Sequence, residues 1–395
     1  MSMFLTKGPV QPAGWVVFAV GIASLIGALL LNWRELLVLA IGCGAILLVS
    51  LAFVIGRSEI RLERHLPSDR VTVGDDALVE LAASNSGSVR TSKQVIGEAM
   101  NGQPVEVPLP ALAAGAEMVV SWKPSTVRRG KYRLGPARIT KADPCRLLQR
   151  DVGQTGVDDF WVQPRVVPLP MFVGGLTKDV DGPTFDHSPA GDVAFHAIRP
   201  YTPGDDARHV HWMATARAGE MMVRHYVDNR LPYVSVVIDA HADHWATERD
   251  FNAAIDIAAS IGVSSLDASQ PGSVHIGDKQ LMGSQRRSTR RLLLDDLTLV
   301  EPVPEFDLAE TLGPLVGGER NTTIAVLLVG AGASAASLSI PATRLAQTCA
   351  VMIVRVTGQE LDPDEATIAG RGVRYLEVAD LDDFVVAMHQ RMASS

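Results

Sequence analysis

Two stretches of the chain show no polar alternation at all. Residues 13–31 (AGWVVFAVGIASLIGALLL) and 36–56 (LLVLAIGCGAILLVSLAFVIG) contain no charged side chain, and each reaches the roughly 20 apolar residues a helix needs to cross a hydrocarbon core. Only Asn32-Trp33-Arg34-Glu35 separates them, so the pattern predicts a tight antiparallel pair of transmembrane helices within residues 1–57. Trp15 and Trp33 stand near the ends, where indoles favour the membrane interface. Lys7 precedes the first stretch, and Arg57, Arg61, Arg64 and Arg70 follow the second, against Arg34 beside Glu35 in the turn. That asymmetry puts both termini in the cytoplasm, with the lipid bilayer as a partner. A cleaved signal peptide has one shorter apolar core before its cleavage site, which two full spans do not resemble.

Beyond the apolar stretches the period changes to two. ALVELAA (77–83), QPVEVPLP (103–110), EMVVSW (117–122) and KYRLGPARI (131–139) alternate between turn residues, as half-buried antiparallel strands do. A β-rich, sandwich-like domain is expected over residues 58–163. Pro164 to Pro189 is rich in Pro and Gly without periodicity, so residues 164–232 read as a linker or wrapping segment followed by a distinctive polar stretch. From residue 233 to 395, apolar strands (233–240, 273–278, 322–330, 349–357, 373–379) alternate with helical stretches (248–266, 288–297, 308–315 and 381–393). Alternating β and α with β-branched, uninterrupted strands predicts a doubly wound parallel sheet.

Composition narrows the function. The 395 residues are 47% hydrophobic and 20% charged, which excludes a disordered chain. A formal net charge of −8 gives no global positive field for phosphates, so no nucleic acid partner is expected. Cys43, Cys145 and Cys349 are far apart with no C-x-x-C pair, which leaves neither a disulfide framework nor a zinc knuckle. No Walker A pattern occurs. Gly330-Ala331-Gly332-Ala333-Ser334-Ala335 satisfies G-x-G-x-x-A after a strand, but Pro341 interrupts the following helix and the next strand ends at Val356-Thr357 without a carboxylate. A dinucleotide site has the opposite features, and no cofactor is expected. Arg286-Arg287-Ser288-Thr289-Arg290-Arg291 is the densest basic run. It reads first as a solvated helical face, and second as a contact for an acidic partner or an anionic leaflet.

The stretch 191–226, GDVAFHAIRPYTPGDDARHVHWMATARAGEMMVRHY, mixes Arg199, Arg208, Arg217 and Arg224 with Asp192, Asp205, Asp206 and Glu220. The mixture suggests an ion-pair network around Trp212 and Tyr201. Its spacing resembles the signature of the bacterial DUF58 family, carried here by Phe195, Arg199, Tyr201, Gly204, Asp205, Arg208, Trp212, Ala216, Arg217, Gly219, Val223 and Arg224. RRGKYRLGPARITKADPCRL (128–147) is similar to elements that family carries upstream, with Cys145 where an aromatic is usual. Pro200 and His225 stand where the family often has Glu.

The resemblance implies a von Willebrand factor A-like (vWA-like) C-terminal domain and association with AAA+ ATPases of the MoxR class. Domains of that type often bind Mg²⁺ through D-x-S-x-S after the first strand. Here that position reads Asp239-Ala240-His241-Ala242-Asp243, leaving Asp239, His241 and Asp243 as a degenerate candidate set better suited to a transition metal than to Mg²⁺. In the signature, Arg forks holding carboxylates suit a structural or partner-binding role, and no nucleophile, base and orienting group come together. The expected function is a non-enzymatic, membrane-anchored scaffold or adaptor working with a MoxR-type ATPase on envelope-associated clients. The alternative is a divalent-metal-dependent receptor using the Asp239 loop.

Overall fold

The computed structural model describes residues 10–55, 60–169, 193–202, 205, 207–228, 232–277, 279–282, 289–308, 312, 322–358 and 373–393. The chain divides into two compact units, residues 1–163 and 164–395.

The first unit opens with helices α1 (Pro12–Leu31) and α2 (Arg34–Ile55). Pro12, which lacks an N–H, occupies the first turn of α1, and Asn32 ends it in the left-handed region at φ 53°. Both helices are long and apolar enough to cross a membrane. Their packing relies on small residues: a Cβ added to Gly21 would lie 3.1 Å from Cβ of Cys43, and one on Gly27 would lie 3.0 Å from Leu36.

Ten strands follow. Strands β1 (Ile60–His65), β3 (Val79–Asn85) and β6 (Glu117–Trp122) form one antiparallel sheet. The second sheet runs β2 (Arg70–Thr72), β10 (Asp158–Gln163), β7 (Gly130–Leu134), β4 (Gln94–Met100), β8 (Arg138–Ala142) and β9 (Gln149–Gln154), with β5 (Gln103–Leu109) paired on β4. The stretch expected as one strand over 131–139 is two, β7 and β8, broken where Gly135 takes φ 92°. Alternate residues of β3 (Leu81, Ala83) and of β4 and β8 (Ile96, Ile139) meet in one core. Arg64 lies inside this unit with 1% of its side chain exposed, bonded to Glu98 (2.6 Å, fully buried), Asp158 (2.6 Å) and Thr155 (2.9 Å).

The turn between β8 and β9 grips the helices. Asp143 accepts from Ser50 Oγ of α2 (2.9 Å) and from the amides of Cys145 (3.0 Å) and Leu148 (2.7 Å). Its burial raises the carboxyl pKa, but the bonds from Leu148, Ser50 and Cys145 outweigh burial and hold it below the usual carboxylate value. The carbonyl of Leu147 accepts from Gln11 N (2.9 Å) just before α1.

The second unit begins with a strap. The amides of Arg165, Val167 and Leu169 donate to Asp256 Oδ1 (2.9 Å), Ser260 Oγ (3.1 Å) and Ser264 Oγ (2.9 Å) of α4, the helix Glu248–Asp267. Four helical residues advance about 6 Å and two extended residues about 6.6 Å, so alternate amides match an i, i+4, i+8 row of acceptors. Arg165 also forks onto Asp382 (2.7 and 2.8 Å) at the start of α7, Leu381–Ala393. Of the segment expected to be a linker or wrapping stretch, residues 164–169 wrap a helix, and residues 170–192 lie outside the described residues.

The α/β sheet has the order β15 (Lys279–Met282), β14 (Gly272–Ile276), β13 (Val234–Ile238), β16 (Ile324–Gly330), β17 (Ala350–Val356), β18 (Val373–Val378). Pairing is parallel except for the edge strand β15. Val234, Val236 and Ile238 pack into one core with α4, while Val237, Ala325 and Leu327 pack into the other. Both faces are therefore covered, which explains why these strands show no alternation. Thr247 and Asp250 form a reciprocal capping box at the start of α4. The remaining helices are α3 (Trp212–Ala218), α5 (Arg290–Thr298) and α6 (Ala335–Leu345). Thr289 caps α5, so the basic run contributes only Arg290 and Arg291 to the helix, and residues 286–288 lie outside the described residues. Of the helix expected over 308–315, only residues 308 and 312 are described.

Arg64→Ala strands a fully buried Glu98 and is expected to cost about 3–5 kcal/mol in chemical denaturation. Adding Glu98→Gln is expected to recover part of that loss; a loss below about 1 kcal/mol for Arg64→Ala alone contradicts the buried pairing.

Candidate functional site

The signature stretch is a hairpin carrying a short helix. Strands β11 (Val193–Pro200) and β12 (Met222–Asp228) pair antiparallel, with a 3₁₀ turn at Ala207–His209 and α3 between them. At the end of β11, Arg199 forks onto Asp205 (2.6 and 2.8 Å) and reaches Thr202 Oγ1 (2.6 Å), while Thr202 N donates to Asp205 (2.8 Å). Tyr201 N donates to Met221 O (2.8 Å), which closes the loop against the other arm. The Arg199 guanidinium, helped by Thr202, depresses the Asp205 carboxyl to a pKa of about 2. The expected ion pairing thus lies beside Tyr201.

Trp212 is not at its centre: its exposure is 70%. The helix that carries it is short but pinned. His211 Nδ1 accepts from Ala214 N (3.0 Å), Thr215 Oγ1 accepts from Met222 N (3.0 Å), and Gly219 ends the helix at φ 75°. A left-handed C-terminal residue of this kind favours glycine. Met213 is 66% exposed and Met221 43%. Arg208, Arg217 and Arg224 are exposed as well. Gly204, Asp192 and Asp206 lie outside the described residues.

The second candidate is the carboxyl edge of β13 and β16, where the sheet order reverses and open α/β sheets usually bind ligands. Asp239 is fully buried there. Its Oδ1 accepts from His241 N (3.0 Å) and its Oδ2 pairs with His244 Nδ1 (2.6 Å). His241 Nδ1 accepts from Asp243 N (3.2 Å), so the neutral ring carries its proton on Nε2, where a metal would need a lone pair. The His241 and His244 rings stack at 4.4 Å. Trp245 Nε1 donates to Asp239 O (3.1 Å) beneath them.

Asp239, His241 and Asp243 therefore do not converge as ligands. The Asp239 carboxylate is spent on the loop's own amide and on His244, which is not among the residues of the D-x-S-x-S position. Among the described residues, no group of three or more His, Cys, Asp or Glu side chains gathers as for a metal ion. Mg²⁺ would need several free oxygens in an octahedron, and this donor set does not fit it.

The glycines of the G-x-G turn have another use. A Cβ on Gly330 would collide with the carbonyl of His244, and one on Gly332 would lie 2.6 Å from the carbonyl of Asp243. Gly332 N donates to His244 O (2.9 Å). The backbone of the Asp239 loop thus occupies the place where a dinucleotide's phosphates would approach such a turn. Arg355, buried at the end of β17, donates to Ala331 O and to Tyr375 Oη (3.3 Å) and braces the same turn.

Residues 197–388 match the model of a family described as "Protein of unknown function DUF58". No curated protein matches. Among solved structures, the chain is similar to the CARDB domain of the PF1109 protein from Pyrococcus furiosus, in complex with di-metal ions. Identity is 18%, coverage is 28% of this chain and 91% of that one, and the TM-score is 0.23. It is also similar to a von Willebrand factor type A structure from Catenulispora acidiphila, at 10% identity, 42% and 43% coverage and a TM-score of 0.30. At these scores the likenesses add nothing to the strand order given above.

In an NMR titration, the Asp205 carboxyl is expected to change near pH 2 and, in Arg199→Gln, to move up toward 4. Because the folded pKa is depressed, the loop's stabilisation is present above the unfolded value near 4 and disappears as pH falls through about 2. A wild-type midpoint near 4 contradicts the fork. Gly330→Ala is expected to destabilise by about 1–3 kcal/mol through overpacking, whereas Gly358→Ala, with open space around it, is expected to stay within about 0.5 kcal/mol; equal effects contradict the close approach.

Proposed function

Starting from a chain whose residues 197–388 match the model of the DUF58 family, we propose a membrane-anchored, non-enzymatic scaffold that offers its signature hairpin to a protein partner. The hairpin α1–α2 spans the bilayer, both ends of the chain are cytoplasmic, and the partner is an AAA+ ATPase of the MoxR class, as the family resemblance implies. Envelope-associated proteins are its clients.

The observation that carries this reading is the outward placement of Trp212, Met213 and Met221 on a segment held rigid by the His211 and Thr215 bonds and the Arg199–Asp205 fork. Large aromatic and Met side chains flanked by Arg are what protein interfaces concentrate. A rigid scaffold lowers the ordering cost of binding. Neither metal nor dinucleotide chemistry is needed for such a role: the Asp239 carboxylate is bonded within its own loop, and the G-x-G turn is packed by the backbone of that loop.

Crosslinked capture from native membranes is expected to recover an AAA+ ATPase with the wild-type chain. Trp212→Ala is expected to weaken that capture at least about 30-fold, the scale of a hot-spot aromatic, with thermal unfolding unchanged. Consistent absence of an AAA+ ATPase from the wild-type eluate contradicts the proposal.

A further inference from the structure

The turn that grips the hairpin also displays charge. A Cβ on Gly14 would lie 2.5 Å from Leu147 O, so the turn abuts the first residues of α1. The next residue, Trp15, is 59% exposed. An outward indole at the end of a spanning helix marks the depth of the lipid headgroups. On the spanning reading proposed above, on which this inference rests, the turn 143–148 lies at that depth.

What the turn and its strands present there is positive. Arg146 is exposed at the tip, in the left-handed region at φ 51°, where Gly or Asn is the usual occupant. Lys141 and Arg150 stand directly opposite one another across β8 and β9. Like charges in that register repel in water. Strands β8 and β9 carry one carboxylate, Asp151, which accepts from Thr140 (2.9 Å) and lies 3.7 Å from Arg138. Asp143 is buried and satisfied by its own turn and Ser50.

We infer that Lys141, Arg146 and Arg150 form a collar that binds the headgroup phosphates of anionic phospholipids in the leaflet where the two ends of the hairpin lie. Guanidinium forks match phosphate oxygens in pairs. Each basic side chain near an anionic surface is worth roughly fivefold in binding.

The test uses the full chain reconstituted in vesicles of equal phosphatidylglycerol and phosphatidylcholine, extracted gently and examined by native mass spectrometry for retained lipid. Wild type is expected to retain phosphatidylglycerol over phosphatidylcholine by tenfold or more. Arg146→Asn, which keeps a residue tolerant of the left-handed backbone, combined with Arg150→Gln is expected to cut that preference by ten- to thirtyfold. Should the double variant not fold, Arg150→Gln alone is expected to cut it about fivefold, and Arg150→Lys to retain it within twofold. A wild type with no preference, or Arg150→Gln with an undiminished one, overturns the inference. Alkaline carbonate treatment of the same vesicles separates the two readings. A chain that washes off ends the spanning reading, whereas one that stays embedded without headgroup preference ends only the collar.

Discussion

The outward faces of α1 and α2 are apolar along their whole length, and water is the wrong solvent for them. Leu29, Leu30, Val38 and Leu48 are each more than two-thirds exposed, and no described part of the chain folds over them. At about 25 cal/mol per Å² of apolar surface, leaving such helices in water costs far more than a domain's net stability. Lipid would resolve the conflict without any further protein. On the spanning reading proposed above, the remaining contacts of the first unit are devices for holding a β-rich body against the hairpin.

Those devices are polar, because apolar contact alone sets no register. Asp143 ties the β8–β9 turn to Ser50 with a bond that has one geometry, and Arg64 joins Glu98, Asp158 and Thr155 inside the β-rich unit. In the second unit the strap 164–169 uses the same logic, laying alternate amides on the Asp256, Ser260 and Ser264 row. Where the partnership is buried, as at Asp143–Ser50, Arg64–Glu98 and Leu169–Ser264, breaking it costs more than forming it returns. The signature hairpin is held likewise by Arg199 and Asp205, leaving its large apolar side chains outward and unmoved.

Long-period features were legible in the sequence. The two long apolar helices, the β-rich middle and the α/β alternation follow from runs and periods, and α4 and α7 begin where their residue patterns say. Short strands were not: β2 has three residues, and β9 (QRDVGQ) has Val152 as its single large apolar residue, too little for a period to show, so that its pairing with β8 defines it. The signature read as part of a linker region because hairpin pairing is non-local, and nothing in its composition marks β11 and β12 as partners. At the second candidate site, the strand pattern places Asp239 just after the first α/β strand but does not show its partner. The His244 bond depends on a turn that folds the loop back over the carboxylate, and spacing alone does not show which of two nearby histidines that turn selects.

The most direct measurement is labelling of Cys145 with a membrane-impermeant maleimide. Cys145 is exposed in the gripping turn, whereas Cys43 and Cys349 are buried. A hairpin that crosses the bilayer with both ends inside leaves Cys145 unlabelled in sealed right-side-out vesicles and labels it rapidly in inverted ones. Rapid labelling in the right-side-out vesicles contradicts that arrangement.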